Sequence, residues 1–167
     1  MILLNDDQMS PVASTFSKQL GAVAELMMIS KHYQYFRIAT LRAWIAPAIR
    51  TGQIKIYYAP DGTPVGYVTW AWLSDEAEAR LINDPKVLLY PSEWTDGEAL
   101  WILGFMALPG IERMLMSHIR ATLFTDQNTV KAVRLGRDGV MRKVATWSKY
   151  GNRWRQKANL VSLKARF

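Results

Sequence analysis

The sequence contains no cysteine among its 167 residues. That removes any disulfide framework, any thiol nucleophile and the usual cysteine-based zinc site. Histidine is nearly as scarce: there are two, His32 and His118, and no H-E-x-x-H spacing, so a catalytic metal lacks a ligand set. No G-x-S-x-G elbow, P-loop or dinucleotide glycine fingerprint occurs, which leaves ordinary hydrolase, kinase and dehydrogenase readings without residues to carry them. Long apolar runs are missing too. The strongest, "ALWILGFMALPGI" at 99–111, falls short of the roughly 20 residues of a membrane-spanning helix and is broken by Pro109. The opening "MILLNDDQMS" has too short an apolar stretch for a secretory signal and meets two aspartates at once, so a cytoplasmic protein without a transmembrane segment is expected.

Acidic residues are scarce in one place. Residues 131–167 hold eleven Lys/Arg against one acid, whereas 1–130 hold ten against thirteen. Concentrated positive charge suits a polyanionic partner, namely nucleic acid, a membrane surface or an acidic protein; the alternative is a solvated basic tail. Basic and aromatic residues interleave in "WSKYGNRWRQKANL", as in single-strand nucleic-acid binders, but no recognised nucleic-acid motif accompanies them.

Half of the residues are hydrophobic and 21% are charged, an ordinary balance for one globular domain spanning 1–167. After Ser10 and Pro11, apolar residues Leu20, Val23, Met27 and Met28 predict a helix ending just before His32. Ile38, Leu41, Ile45 and Ile49 predict a second helix, which Pro47 should kink or shorten and Thr51-Gly52 should stop. "QIKIYYA", "PDGTP" and "VGYVTWAW" read as a β-hairpin, and Ser74 caps a short helix closed by "NDP" at 83–85. "ALWILGFMA" is apolar on both faces, as a strand covered on each side should be. Another helix, with Ile111, Met114, Leu115, His118 and Ile119 near one stripe, precedes a second hairpin of "TVKAVRL", "GRDG" and "VMRKVATW". The expected fold class is α/β, a sandwich whose mixed, mostly antiparallel sheet is flanked by helices, with 147–167 a basic extension.

His118 lies one turn from Met114 and Leu115, the setting of a partly buried structural histidine. His32 instead follows a helix end, where a substrate could reach it and where a near-neutral pKa suits a general base; an ordinary side chain at a helix end is the competing reading.

Several segments in order resemble the RTX toxin-activating lysine acyltransferases: "SKH" at 30–32, "APAI" at 46–49, "TGQIKIYY", the Tyr67–Ser74 stretch "YVTWAWLS", the Trp94–Gly97 stretch "WTDG", and "AVRLGRDGVMRKV" at 132–144. The resemblance covers roughly residues 20–146. It implies a fold related to the Gcn5-type N-acetyltransferases and transfer of a fatty acyl chain from acyl carrier protein to internal lysines of an RTX-type protoxin. It also implies no cofactor beyond that donor, and a homodimer is a form known among relatives. His32 falls on the family's catalytic histidine, with Ser30 as a nearby hydroxyl. Tyr67, Trp70, Trp101 and Phe105 could line a groove for the acyl chain, core packing being the alternative for each. Where coenzyme A enzymes of this fold carry a glycine-rich loop, this chain reads "ALPGIERM", leaving Gly110 and a helix start as the anion site. An acidic carrier protein would suit Arg134, Arg137, Arg142 and Lys143.

The chain departs from the family at the acid that orients the histidine: that position is Gly104, and the family's serine position is Ile29. An orienting acid fixes the imidazole tautomer and stabilises the imidazolium. Glu98, on the same nominal strand parity, and Asp96 and Glu93, in the preceding loop, are the substitutes in sequence. Its absence allows a slower enzyme, a relocated acid, or an impaired homologue that binds carrier or toxin without transfer.

Overall fold

A computed structural model describes residues 11–31, 33, 36–84, 87–135, 141–150 and 153–159. Helix α1 (Pro11–Ile29) starts on the expected proline and buries Val23, Leu26 and Met27, while Met28 turns outward. Each such side chain contributes about 1.5–3 kcal/mol relative to exposure. The second helix has three parts: α2 (Ile38–Thr40), a π-helical stretch (Leu41–Ile45) and α3 (Ala46–Arg50). The cause is Pro47. It has no N–H to give and its ring crowds the carbonyl one turn back, so the preceding turn widens and the Ala46 N–H reaches Leu41 O instead. Gly52, at φ 70°, then ends the helix.

The six strands β1 (Ile54–Tyr58), β2 (Pro64–Leu73), β3 (Ala99–Ala107), β4 (Thr129–Leu135), β5 (Met141–Tyr150) and β6 (Arg153–Asn159) form one sheet in chain order. Every neighbouring pair is antiparallel except β3 and β4, which run parallel. Helix α5 (Glu112–Thr122) makes the crossover between those two. This is the expected mixed, mostly antiparallel sheet flanked by helices, consistent with a Gcn5-type acetyltransferase fold. Strand β6 is an addition within the stretch expected to be a plain extension.

Two cores lie on the two faces of the sheet. On one, α1, α3, α4 (Asp75–Asn83) and a 3₁₀ turn (Pro91–Trp94) cover Ile54, Ile56, Tyr67, Ala71, Leu73 and Trp101. On the other, α5 lays Leu115 and Ile119 over Val68, Ile102, Val130, Ala132, Ala145 and Trp147. The α5 stripe is narrower than expected, because Met114 is 65% exposed. His118 is also exposed, resting its ring edge-on to Tyr57 at 5.8 Å, so it is not the partly buried residue the pattern suggested. Ser74 caps α4 by accepting the Ala77 N–H at 3.4 Å. Gly97 lies so close to the end of β2 that a Cβ there would stand 1.9 Å from Leu73 C.

Candidate functional site

The feature that sets up a site is the parting of β3 and β4. They pair only at Trp101 with Lys131 and Ile102 with Ala132. Past that point β3 continues to Ala107 and β4 to Leu135, with no further pairing between them among the described residues. The break coincides with an extra residue in β3: Thr69 of β2 pairs with Gly104 while Trp70 pairs with Ile102, so Leu103 is bulged out. A bulge bends its strand and increases local twist, which drives the outer half of β3 away from β4. Among the described residues, main-chain N–H and C=O groups along that side of β3 then have no strand partner in β4, and such groups need one. A notch of backbone donors is also what a thioester carbonyl requires when charge builds on its oxygen.

Gly104 stands in this notch. A Cβ at that position would lie 2.7 Å from Thr69 Oγ1 and 3.5 Å from Tyr67 Cε2. Thr69 and Tyr67 are almost fully buried, at 1% and 2% exposure. Burial holds the phenols of Tyr67 and Tyr33 above the ordinary tyrosine range, and Tyr33 packs against the same core as Tyr67. Tyr33 belongs to the turn after α1, where its N–H donates to Ser30 O at 3.1 Å and its carbonyl accepts from the Phe36 N–H at 2.8 Å. Ser30 is thus built into the same turn. His32, which precedes Tyr33 in the chain, lies outside the described residues. Tyr33 carries no motif of its own; its packing against the core on the α1 side becomes visible only once the sheet is placed.

Alternation along β2 and the bulge in β3 divide the aromatic residues between the two faces. Tyr67 and Trp101 lie on the face covered by α1, whereas Trp70 and Phe105 pack on the α5 face, Trp70 edge-on to Phe124 at 5.7 Å. The four therefore do not line one groove. Leu103 also breaks the parity assumed between Glu98 and Gly104, and Glu98 is exposed in the bend before β3, about 20 Å away along the chain at roughly 3.3 Å per residue. Glu93 is engaged elsewhere: it receives hydrogen bonds from Arg80 and, at 2.7 Å, from the Tyr90 N–H. Asp96 is exposed in the loop before β3.

Strands β4, β5 and β6 contain eight Lys/Arg and no acid. Arg134 pairs with Lys143 across β4 and β5, past the point where β3 departs, and Arg142 is next to Lys143 in β5. Arg137 lies outside the described residues. Lys131, nearer the parting, bonds Glu78 of α4 and sits 5.8 Å from the Trp101 ring centre. Gly110, at φ 94°, gives its N–H to Glu112 Oε2 at 2.9 Å, so the chain's own carboxylate occupies the start of α5. Among the described residues no group of three or more His, Asp or Glu could hold a metal, and no helix is long and apolar enough to cross a membrane.

Residues 12–148 match the family model described as the RTX toxin acyltransferase family. An uncharacterized protein of Synechocystis sp. is 29% identical over 132 residues, covering 78% of this chain and 88% of that protein. The protein-lysine myristoyltransferase RtxC of Kingella kingae is 32% identical over 117 residues, 70% of this chain and 68% of its own length. The RTX-II toxin-activating lysine-acyltransferase ApxIIC of Actinobacillus pleuropneumoniae is 32% identical over 101 residues, 60% of this chain and 62% of its own.

Proposed function

The chain belongs to the RTX toxin acyltransferase family, and from that premise we propose that it moves a fatty acyl group from acyl carrier protein to internal lysines of an RTX-type protoxin. The observation that carries this reading is the backbone notch after Ile102, on the strand that bears the family's acid position. In the proposed reaction the acceptor lysine gives one proton to solvent to enter as the neutral amine, whose nitrogen attacks the thioester carbonyl carbon while His32 takes the second proton from that nitrogen. The C–N bond forms, backbone N–H groups in the notch receive the charged oxygen, and the C–S bond breaks. The proton held by the imidazole goes to the departing thiolate. Ser30 and the acyl-lining roles of Tyr67, Trp70, Trp101 and Phe105 belong to the same reading.

The donor follows from charge. Glu112 over the Gly110 N–H repels a coenzyme A pyrophosphate, so the helix start favours a donor carried by protein. The acid-free strands with Arg134, Arg142 and Lys143, continued in sequence by Arg137, favour an acidic carrier. Incubation with fatty-acyl carrier protein and a purified RTX protoxin tests the proposal by mass spectrometry. A lysine gaining the acyl mass, lost in His32→Ala, is the expected result; no transfer where a related enzyme works refutes it.

Gly104 favours a second reading, in which the chain binds carrier or toxin but transfers slowly or not at all. Carrier binding without acylation, with activity gained on introducing aspartate at 104, would select it.

A further inference from the structure

The two edges of the sheet are finished differently. Strand β1 is five residues long and shifts register between Tyr57 and Tyr58. Brevity and bulges are two means by which an edge strand is kept from pairing with a foreign chain. Strand β6 uses neither. Its seven residues pair with β5 without a shift in register, they include no proline, and among the described residues nothing pairs with the outer side of the strand. It therefore presents a straight row of backbone donors and acceptors, the form that accepts an added strand.

Charge decides which strand fits. β6 reads "RWRQKAN", three cations and no acid. Alternation sets Arg153 and Arg155 on one face, both exposed, opposite Tyr150 and Ser148 of β5, while Trp154 turns to the other face and packs against the α5-side core. The Arg155 guanidinium lies 5.9 Å from the Tyr150 ring centre, and among the described residues neither arginine forms an ion pair. A second copy of β6 would set cation against cation, which is unfavourable across a strand pair; an acidic strand would meet opposite charge instead. The edge lies beyond residues 12–148, the stretch that matches the family model. Its arginines are also apart from Arg134, Arg142 and Lys143, since Tyr150 is about 20 Å along β5 from Lys143 at roughly 3.3 Å per residue.

We propose that β6 is a docking edge for an extended acidic segment of a partner protein, which adds as a seventh strand with its carboxylates beside Arg153 and Arg155. The site does not depend on acyl transfer, so it stands or falls apart from that reading.

The full chain is titrated with a fluorescent peptide of about eight residues, alternating glutamate and threonine so that its acids share one face. Anisotropy should give a Kd between about 10 μM and 1 mM, weakening as salt is raised. The variant carrying Arg153→Glu and Arg155→Glu should bind roughly tenfold more weakly or worse. Lys55→Glu, on the exposed side of β1, should change binding by less than about twofold. The same peptide methylated at every backbone nitrogen keeps its charge but cannot pair, and should not bind. Hydrogen exchange should show the β6 amides that face away from β5 exchanging freely in the protein alone and slowing when the peptide is added. Equal binding of the methylated peptide, which would reduce the contact to charge, overturns the proposal, as does unchanged affinity in the double arginine variant. So do tighter binding of oligouridylate at the same ionic strength, which would mark a nucleic-acid surface, and protection of those amides before any peptide is added. Absence of binding at about 1 mM unmethylated peptide overturns it as well.

Discussion

Gly104 offers the sharpest quantitative test of the site's packing. Gly104→Ala introduces a Cβ at 2.7 Å from Thr69 Oγ1, against about 3.4 Å or more for comfortable contact. Thr69 is 1% exposed, so its side chain has little room to yield. Overpacking of this kind costs about 1–3 kcal/mol, and the restricted unfolded chain returns about 0.4–1 kcal/mol of that. The net expectation is about 1–2 kcal/mol of destabilisation, a fall in Tm of about 2–8 °C for a chain of this size. Thr69→Ala removes the opposing oxygen, so in that background Gly104→Ala should be neutral or mildly stabilising, a coupling of about 1–2 kcal/mol. Urea and thermal melts of the four proteins give the cycle. Equal stability of Gly104→Ala and wild type, with no coupling to Thr69, would refute the geometry. The same cycle with Gly104→Asp, read by acyl transfer, tests whether an acid at this position can be accommodated only after Thr69 is trimmed.

Other outcomes follow from the same contacts. Gly97→Ala forces a Cβ to 1.9 Å from Leu73 C, a backbone atom that cannot rotate away; a loss above about 3 kcal/mol, or insoluble expression, is expected, and a Tm within a few degrees of wild type would contradict it. Tyr67 and Tyr33 have folded pKa values raised by burial above the ordinary value of 10.0. Their contribution is therefore fully present below about pH 10 and is lost as pH rises toward the folded values; urea midpoints should decline above pH 10, and less steeply in Tyr67→Phe. Glu78→Gln and Lys131→Met should each cost less than about 1 kcal/mol by thermal melt, since the pair is partly exposed. Charge reversal at Arg134 and Arg142 should weaken carrier association in a salt-dependent way with no change in Tm, measurable by binding at two ionic strengths.

Much of this architecture is legible where local chemistry and burial agree. The 54–73 hairpin announces itself through alternation and a Pro-Asp-Gly turn, and the Asp61 carboxylate indeed accepts the Thr63 N–H at 3.0 Å. Pro47 predicts trouble in its helix, but whether the turn breaks or widens depends on the buried packing of Ile45, Ala46 and Ala48. Strand β6 escapes notice because its alternation is basic rather than apolar; an edge strand needs no greasy face, and the Gly151-Asn152 pair is the available hairpin signal. At the site, Gly104 can be singled out from resemblance alone. The candidacy of Glu98 assumes an unbroken two-residue period in β3, which Leu103 breaks, whereas the aromatic groove fails already on β2, where Tyr67 and Trp70 are three residues apart and face opposite sides. Nothing local marks a bulge there, since Leu103 sits in an apolar run like its neighbours.

The cleft where β3 and β4 diverge is framed by peptide groups, which every residue supplies alike. Drift in side-chain identity therefore leaves its walls intact, and only an insertion or deletion that reset strand register would erase them. A chain can thus change a charged helper at a position such as 104 while the cradle persists, open to a new helper around it.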